Sequence, residues 1–496
     1  MDVWPALAAP VPALPLDVLR VLVGLLTFAY FARTWREAPL FGGPDGLVDH
    51  AQQRRLLPFT RLSLFPERIS LRWLRLAYLA GCGAAILLTV GIVPHAAALV
   101  LYLLAVSAYR WNLLLMYVDD AVQHLVLLWM VLLPIGETLT LPSLVADPTT
   151  AWSTWLGAEV PGFVVRCFLV NLVLIYLVAG LWKWTSPMWR AGSALQAILR
   201  MAVAYTPDRW GFAYPMPLRI ATWFGLVIEP LLAVLVLLPP YSPLKWPLLV
   251  GAVAFHVGII ATMKFPYANL AMLGALVVVF GPELMAALGA PPPLAGAAPA
   301  PAPGPADLLA LTTITCLGLL FLLNARWFDS GHPPSIWRAL TGRWSRVNPL
   351  YAPLWLLGLA QSYRLFDWID DRNYHVRYEV CETPRDGPPR LIDERGLFPR
   401  SMRHILLQSY LYGNLWVKLD PDALPELRTT TLTRYAGWYC RTHPAMGSVD
   451  VQAIVQRITS DNLDLHRGIR MPLLRFTNRG GTAQVTEMCL VPPVIA

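Results

Sequence analysis

Apolar runs of membrane-spanning length recur through the first 330 residues, separated by polar loops. About 20 consecutive apolar residues suffice for a helix to cross the hydrocarbon core of a bilayer. Windows of this kind predict spans near 16–31, 74–93, 96–107, 118–135 and 163–184, and four more near 217–238, 246–263, 268–288 and 308–323. The run at 350–366 is interrupted by Pro353, Gln361, Ser362 and Arg364, which predicts a partly buried or interfacial helix in place of a tenth span. Beyond it the pattern changes. Residues 375–381 alternate as a strand does, Asp386-Gly387-Pro388-Pro389 reads as a turn, 399–412 as a helix with an Arg400/Arg403 face, and 448–458 and 471–476 as further short strands. The expected fold class is an all-α multi-pass membrane bundle of about nine transmembrane helices (1–330), followed by an interfacial connector (331–370) and a small C-terminal α+β polar domain (371–496).

Composition sharpens this picture. Hydrophobic residues make up 56% of the chain and charged residues only 14%, so bilayer and not water is the expected solvent for most of it. The formal charge of +8 comes from Arg in loops and tail, with no dense basic tract interleaved with aromatics, which argues against nucleic acid as a partner. Residues 33–75 contain eight arginines, 183–219 contain five basic residues, and the exit from the last span carries Arg326, Arg338, Arg343 and Arg346. Residues 136–162 and 282–306 contain no Lys or Arg. Loops that alternate in this way follow the positive-inside rule, which predicts an outside N-terminus, an odd number of spans and a cytoplasmic tail.

The Ala- and Pro-rich stretch 290–306 reads as an extended linker on the non-basic side. The N-terminus lacks a basic n-region and an obvious cleavage site, so the first apolar stretch is expected to be a retained span. Cys82, Cys167 and Cys316 lie in apolar segments and Cys381, Cys440 and Cys489 in the tail; none has metal-ligand spacing, so neither a disulfide framework nor a metal site is expected.

A charged side chain at the centre of a membrane helix costs roughly 3 kcal/mol unless it is paired or faces a wet cavity, so each one needs an account. Lys183 ends the run YLVAGLWKW between Trp182 and Trp184. It either snorkels to the interface or points inward as a desolvated amine usable as a general base. His256 lies mid-span, where snorkelling is impractical; it is either a packed, hydrogen-bonded histidine or a member of a site. Glu229, followed by Pro230, presents the same choice. Asp119, Asp120 and His124 open the fourth span, with Arg110 and Asn112 shortly before; Asp120 and His124 are one turn apart and share a face, as part of a site or of a polar helix end. Arg166, Asn171 and Asn269 are expected to bridge helices through hydrogen bonds.

At Lys183 the sequence becomes specific. Tyr176-Leu-Val-Ala-Gly-Leu-Trp-Lys183-Trp184, then Trp189-Arg-Ala-Gly192, resembles the Y-x-x-A-G-x-x-K…W-x-x-G segment of vitamin K-dependent gamma-carboxylases and the related bacterial HTTM (horizontally transferred transmembrane) family. Phe255-His256 followed by Phe265-Pro-Tyr267-Ala-Asn-Leu-Ala is similar to a second segment of that family, F-H…F-x-Y-x-x-L-A. Arg110-Trp111-Asn112, Pro134-Ile135-Gly136 and Glu229-Pro230 are in the same style, and LFPRSMR (397–403) and RYAGWYC (434–440) look like the tail of bacterial members. Trp182 stands where animal carboxylases carry a second lysine, and the tail is smaller than their propeptide-docking part.

The resemblance implies that Lys183 deprotonates vitamin K hydroquinone, or another reduced isoprenoid quinone. That species then reacts with O2 to give an alkoxide able to abstract a glutamate γ-proton, and CO2 traps the carbanion. Such chemistry needs a dry pocket. It makes Lys183 and His256 the candidate catalytic pair, with Tyr176, Trp182, Trp184, Asn112, His124, Glu229 and Tyr267 as candidates for lining the quinone pocket. A peptide or protein glutamate is the implied acceptor, membrane lipid the surrounding partner, and a bacterial-type inner membrane the implied location. The competing reading is a non-enzymatic quinone- or lipid-binding or assembly protein whose polar residues only lock helices together. A transporter is a weaker third, since no inverted hydropathy repeat is evident.

Overall fold

The computed structural model of the chain describes residues 4–290, 303–323, 357–358, 374–392, 423–459 and 468–488, apart from 44, 57, 113–117, 202, 207–208, 210–212 and 265. Among these residues, each apolar run foreseen in the sequence contains a helix. They are α1 (Leu14–Phe41), α2 (Leu71–Val90), α3 (Pro94–Trp111), α4 (Val118–Leu132), α5 (Gly162–Thr185), α6 (Pro215–Leu237), α7 (Lys245–Thr262), α8 (Pro266–Val279) and α9 (Pro305–Leu323). Five of them, α1, α2, α5, α6 and α7, are long and apolar enough to cross a membrane. α8 joins a short helix, Gly281–Ala287, through a 69° bend, and the two together make a sixth such segment.

The helices expose apolar side chains and bury polar ones, the inverse of a water-soluble domain. Leu25, Leu79, Ile86, Val170, Leu181, Val227 and Val250 face outward, whereas Asp17, Arg20, Asp120, His124, Asn171, Lys183, Glu229 and His256 are buried. In a bilayer this is the favourable arrangement, because lipid tails accept Leu and Val while buried polar groups must find each other.

Asp17 and Arg20 show how fully that requirement is met. The Arg20 guanidinium donates to Asp17 at 2.6 Å, to the Leu88 and Thr89 carbonyls at 2.5 and 2.8 Å, and to the Thr138 and Leu139 carbonyls at 3.0 and 2.9 Å. Asp17 in turn accepts from the Gly136 and Thr138 amides, both at 2.7 Å, and from the Thr138 hydroxyl at 2.9 Å. The C-terminal carbonyls of α2, which have no intrahelical partner, are thereby tied to α1 and to the segment after α4. With every donor filled, this ion pair is a structural clasp, and nothing in the sequence pattern had marked it.

At the opposite, arginine-rich end, the loop after α1 closes over the end of α3. His50 stacks on Trp111 with ring centroids 3.8 Å apart, its ring nitrogens 2.9 and 3.0 Å from the Trp111 and Phe41 carbonyls, and the Gln53 amide donates to the Arg110 and Trp111 carbonyls.

The tail carries a five-stranded antiparallel sheet in the order β4-β3-β5-β6-β7: β3 (Tyr374–Pro384), β4 (Arg390–Ile392), β5 (Met446–Arg457), β6 (Ile469–Arg479) and β7 (Thr482–Met488). β1 (Val11–Pro12) and β2 (Glu159–Val160) form a separate two-stranded ribbon. The strands expected at 375–381, 448–458 and 471–476 coincide with β3, β5 and β6, and a turn follows β3 at the Asp-Gly-Pro-Pro segment. β7 and the helix α10 (Ala423–Thr442), which packs Tyr435 and Tyr439 into the core beside Phe476, were not foreseen. The helix expected at 399–412 lies outside the described residues, as does the connector 331–370 except Leu357 and Gly358. Gly358 is buried and Leu357 half-buried. The Leu357 carbonyl accepts from Tyr102 on α3 at 2.8 Å, and the Gly358 carbonyl lies 2.8 Å from His124 Nδ1 on α4.

The tail docks on the arginine-rich end. Arg434 on α10 reaches the Gly46 carbonyl and Asp49, at 3.0 and 3.3 Å, and Glu426 meets Gln52 and Arg55. Across the sheet, His375 Nδ1 donates to the Arg200 carbonyl at 2.6 Å and the Arg200 guanidinium donates to Gln456 at 3.0 Å, so two paired residues of β3 and β5 grip one buried arginine.

Candidate functional site

The site is assembled from four helices. On α5, Tyr176 and Lys183 are seven residues apart, two turns less 20°, and so share a face, with Gly180 between them. Gly180 lets α6 approach: a Cβ there would lie 2.7 Å from Pro230 Cδ and 2.8 Å from its nitrogen. One turn on from that contact Lys183 meets Glu229, the residue before Pro230, and Nζ donates to the carboxylate. Both residues are only 3% exposed, so Lys183 does not snorkel and its amine is not solitary.

A second polar string crosses from α5 to α8. Tyr176 Oη lies 2.9 Å from His256 Nε2, and His256 Nδ1 lies 2.9 Å from Asn269 Oδ1. An amide oxygen can only accept, so Nδ1 carries the proton, Nε2 is the acceptor and the Tyr176 hydroxyl donates to it. Tyr176 and His256 are each 3% exposed.

The short helix Pro187–Ala191 folds back beneath α5. Ser186 caps it by accepting the Trp189 amide, and Gly192, at φ +81°, closes it in the left-handed conformation that glycine adopts without penalty. This turn sets the Trp189 ring 5.2 Å from Lys183 Nζ. Trp189 was not among the candidate residues, although its place in the W-x-x-G segment was the available signal. From there the chain runs through the short helix Ala194–Ile198 to residues 203–205, which pair with Thr262 and Lys264 past the end of α7. Arg200, which the tail grips, lies in this segment.

The other candidates are distributed as follows. Trp182 is buried and Trp184 is exposed on the outside of α5. Tyr267 is half-buried and meets Tyr30 edge-on, with centroids 6.3 Å apart. Asn112 is buried at the C-cap of α3, and His124 is buried against the edge of Tyr109 and the Gly358 carbonyl. Among the described residues no hydrogen bond links Asn112 or His124 to the Lys183 group; Asp120, one turn before His124 on α4, is buried and within electrostatic reach of Tyr109 on α3. Asn171 bridges α5 to α4 by accepting from Trp129 at 2.7 Å, and Arg166 fastens the start of α5 to the Leu7 and Ala9 carbonyls, so both hold elements together, as expected.

The arrangement can therefore take a proton from, or place a cation beside, a group entering next to Lys183 and Glu229, with water held out by apolar helices and Trp189. Its donor set is an ammonium–carboxylate pair with the Trp189 indole beside the ammonium, and a phenol–imidazole string in the same bundle. Comparison with known protein families, with curated proteins and with solved structures finds no match to this chain.

Proposed function

We propose that the chain is an integral membrane enzyme, nine helices crossing a bacterial-type inner membrane with the tail in the cytoplasm, that acts on a reduced isoprenoid quinone in the manner of a vitamin K-dependent gamma-carboxylase. The observation that carries this reading is the Lys183–Glu229 pair, desolvated inside the bundle and faced by Trp189, with the Tyr176–His256–Asn269 string across the same helices. When bound, the reduced quinone supplies, together with oxygen, a base strong enough to remove a γ-proton from a peptide glutamate, which carbon dioxide then carboxylates. The Lys183–Glu229 pair takes the proton from the quinol hydroxyl, His256 and Tyr176 orient the pocket, and the apolar helices exclude the water that would quench the base.

The test uses purified protein with vitamin K hydroquinone, oxygen and labelled bicarbonate. Epoxide should form, label should enter a glutamate-containing peptide, and Lys183→Ala should abolish both. Epoxide formation untouched by that substitution removes Lys183 from the chemistry. A reporter fused after Ala496 should be active only in the cytoplasm; external activity refutes the topology.

The non-enzymatic reading has one observation in its favour: Tyr176, His256 and Asn269 satisfy one another, as do Lys183 and Glu229, which is how polar residues lock helices. On that reading the protein binds quinone without consuming oxygen.

A further inference from the structure

We infer that the group receiving the proton is the Glu229 carboxylate, and that Lys183 remains an ammonium throughout, holding the oxygen that the proton leaves. This deepens the quinol reading and rests on it. Besides the Glu229 carboxylate, two features of the fold set Lys183 Nζ against negative charge. The residue lies in the last turn of α5, where the helix carbonyls present partial negative charge, and its Nζ faces the ring of Trp189. Held as a donor to that carboxylate, Lys183 turns no lone pair toward a ligand. The carboxylate beside it does.

The sequence of bonds is simple. The O–H bond of the quinol hydroxyl breaks, its electron pair stays on the quinol oxygen, and a new O–H bond forms on a Glu229 carboxylate oxygen. The pair passes from net zero to net +1 while the ligand passes to −1, so no net charge is created in the dry site, and the Lys183 ammonium turns from the carboxyl to the new anion. The close approach of α6 at Gly180 and Pro230 lies one turn from the pair and brings Glu229 against Lys183. The other titratable side chains near the pair, among the described residues, are Tyr176 on α5, within electrostatic reach of Glu229, and His256 on α7, bonded to Tyr176. α6 carries no charged residue besides Glu229 and Arg219 near its start.

The decisive measurement is infrared difference spectroscopy on the full-length protein in detergent, with vitamin K hydroquinone added under nitrogen. A carboxylic-acid carbonyl band should appear on binding, shift in deuterium oxide and be missing in Glu229→Gln. In aerobic turnover E229Q should lose on the order of 10²–10⁴-fold, the usual range for a general base. Glu229→Asp, which keeps a carboxylate, should regain part of that loss and show the band at an altered frequency, and the band is the readout that a purely structural ion pair does not give. Turnover retained in E229Q overturns the proposal and returns the base role to Lys183. If wild-type protein turns over quinol yet shows no carboxyl band, the proposal also fails. Wild-type protein that neither binds nor oxidises the hydroquinone overturns the quinol reading itself, and this inference with it.

Discussion

The contact of α5 with α6 at Gly180 makes a quantitative expectation possible. In Gly180→Ala the added methyl would stand 2.7 Å from Pro230 Cδ and 2.8 Å from its backbone nitrogen. Ordinary contact begins near 3.4 Å, so the helices must part by roughly 0.7 Å. Overpacking against backbone costs about 1–3 kcal/mol, while alanine regains about 1 kcal/mol of helix propensity. The net is a destabilisation of ~0–2 kcal/mol, together with a displaced Lys183 one turn away. Gly83→Ala in α2 is the internal control: a Cβ there meets nothing within 4 Å, so only the propensity gain of up to ~1 kcal/mol remains. Thermal unfolding of both variants in one detergent should place G180A below wild type and G83A at or above it. Hydroquinone binding, followed by tryptophan fluorescence, should weaken in G180A alone. A G180A protein as stable as G83A, with unaltered binding, would show that the close approach does not hold the pair in place.

Three further expectations follow from other contacts. Asp17→Leu leaves the Arg20 guanidinium buried without its carboxylate and should cost about 3–5 kcal/mol, seen as a large fall in the thermal midpoint; a midpoint near wild type would deny Asp17 its clasping role. Asn269→Leu removes the acceptor for His256 Nδ1–H and should cost about 1–3 kcal/mol, measured in the same way, and is contradicted by unchanged stability. Asp49 loses hydration in its loop, but the Gln52 amide and the Arg434 guanidinium outweigh that and hold its carboxyl below the ordinary value of 3.8. The contribution of this tail clasp is therefore present above that value and lost as pH falls through the lower folded value. Being partly exposed it is worth only ~0–1 kcal/mol, so limited proteolysis should release the tail slightly faster in Asp49→Asn at neutral pH, a difference that high salt removes by screening the contact in wild type. Equal rates in wild type and D49N would discount the contact.

Much of the fold was legible in the chain because its determinants are local. Apolar runs marked the helices, and the alternation at 375–381 marked β3, since each pattern lies within one element. The 69° break after Val279 passed unnoticed: 268–288 is apolar throughout, and hydropathy does not register a change of direction. α10 escaped because its inward face consists of Leu432, Tyr435, Ala436 and Tyr439 among charged and Thr residues, a weak amphipathic signal.

The sequence by itself determined that Lys183 and His256 occupy apolar surroundings, where each needs a reason. Only the tertiary structure decided what those reasons are. Lys183 and Glu229 are 46 positions apart, Tyr176 and His256 80, and Arg20 and Thr138 118. Whether such residues meet depends on how each helix is rotated about its axis. That rotation is set by contacts such as Gly180 against Pro230, where one missing side chain admits a neighbouring backbone. Hydropathy is a property of one segment, whereas pairing belongs to two, and a buried charge is settled only by its partner.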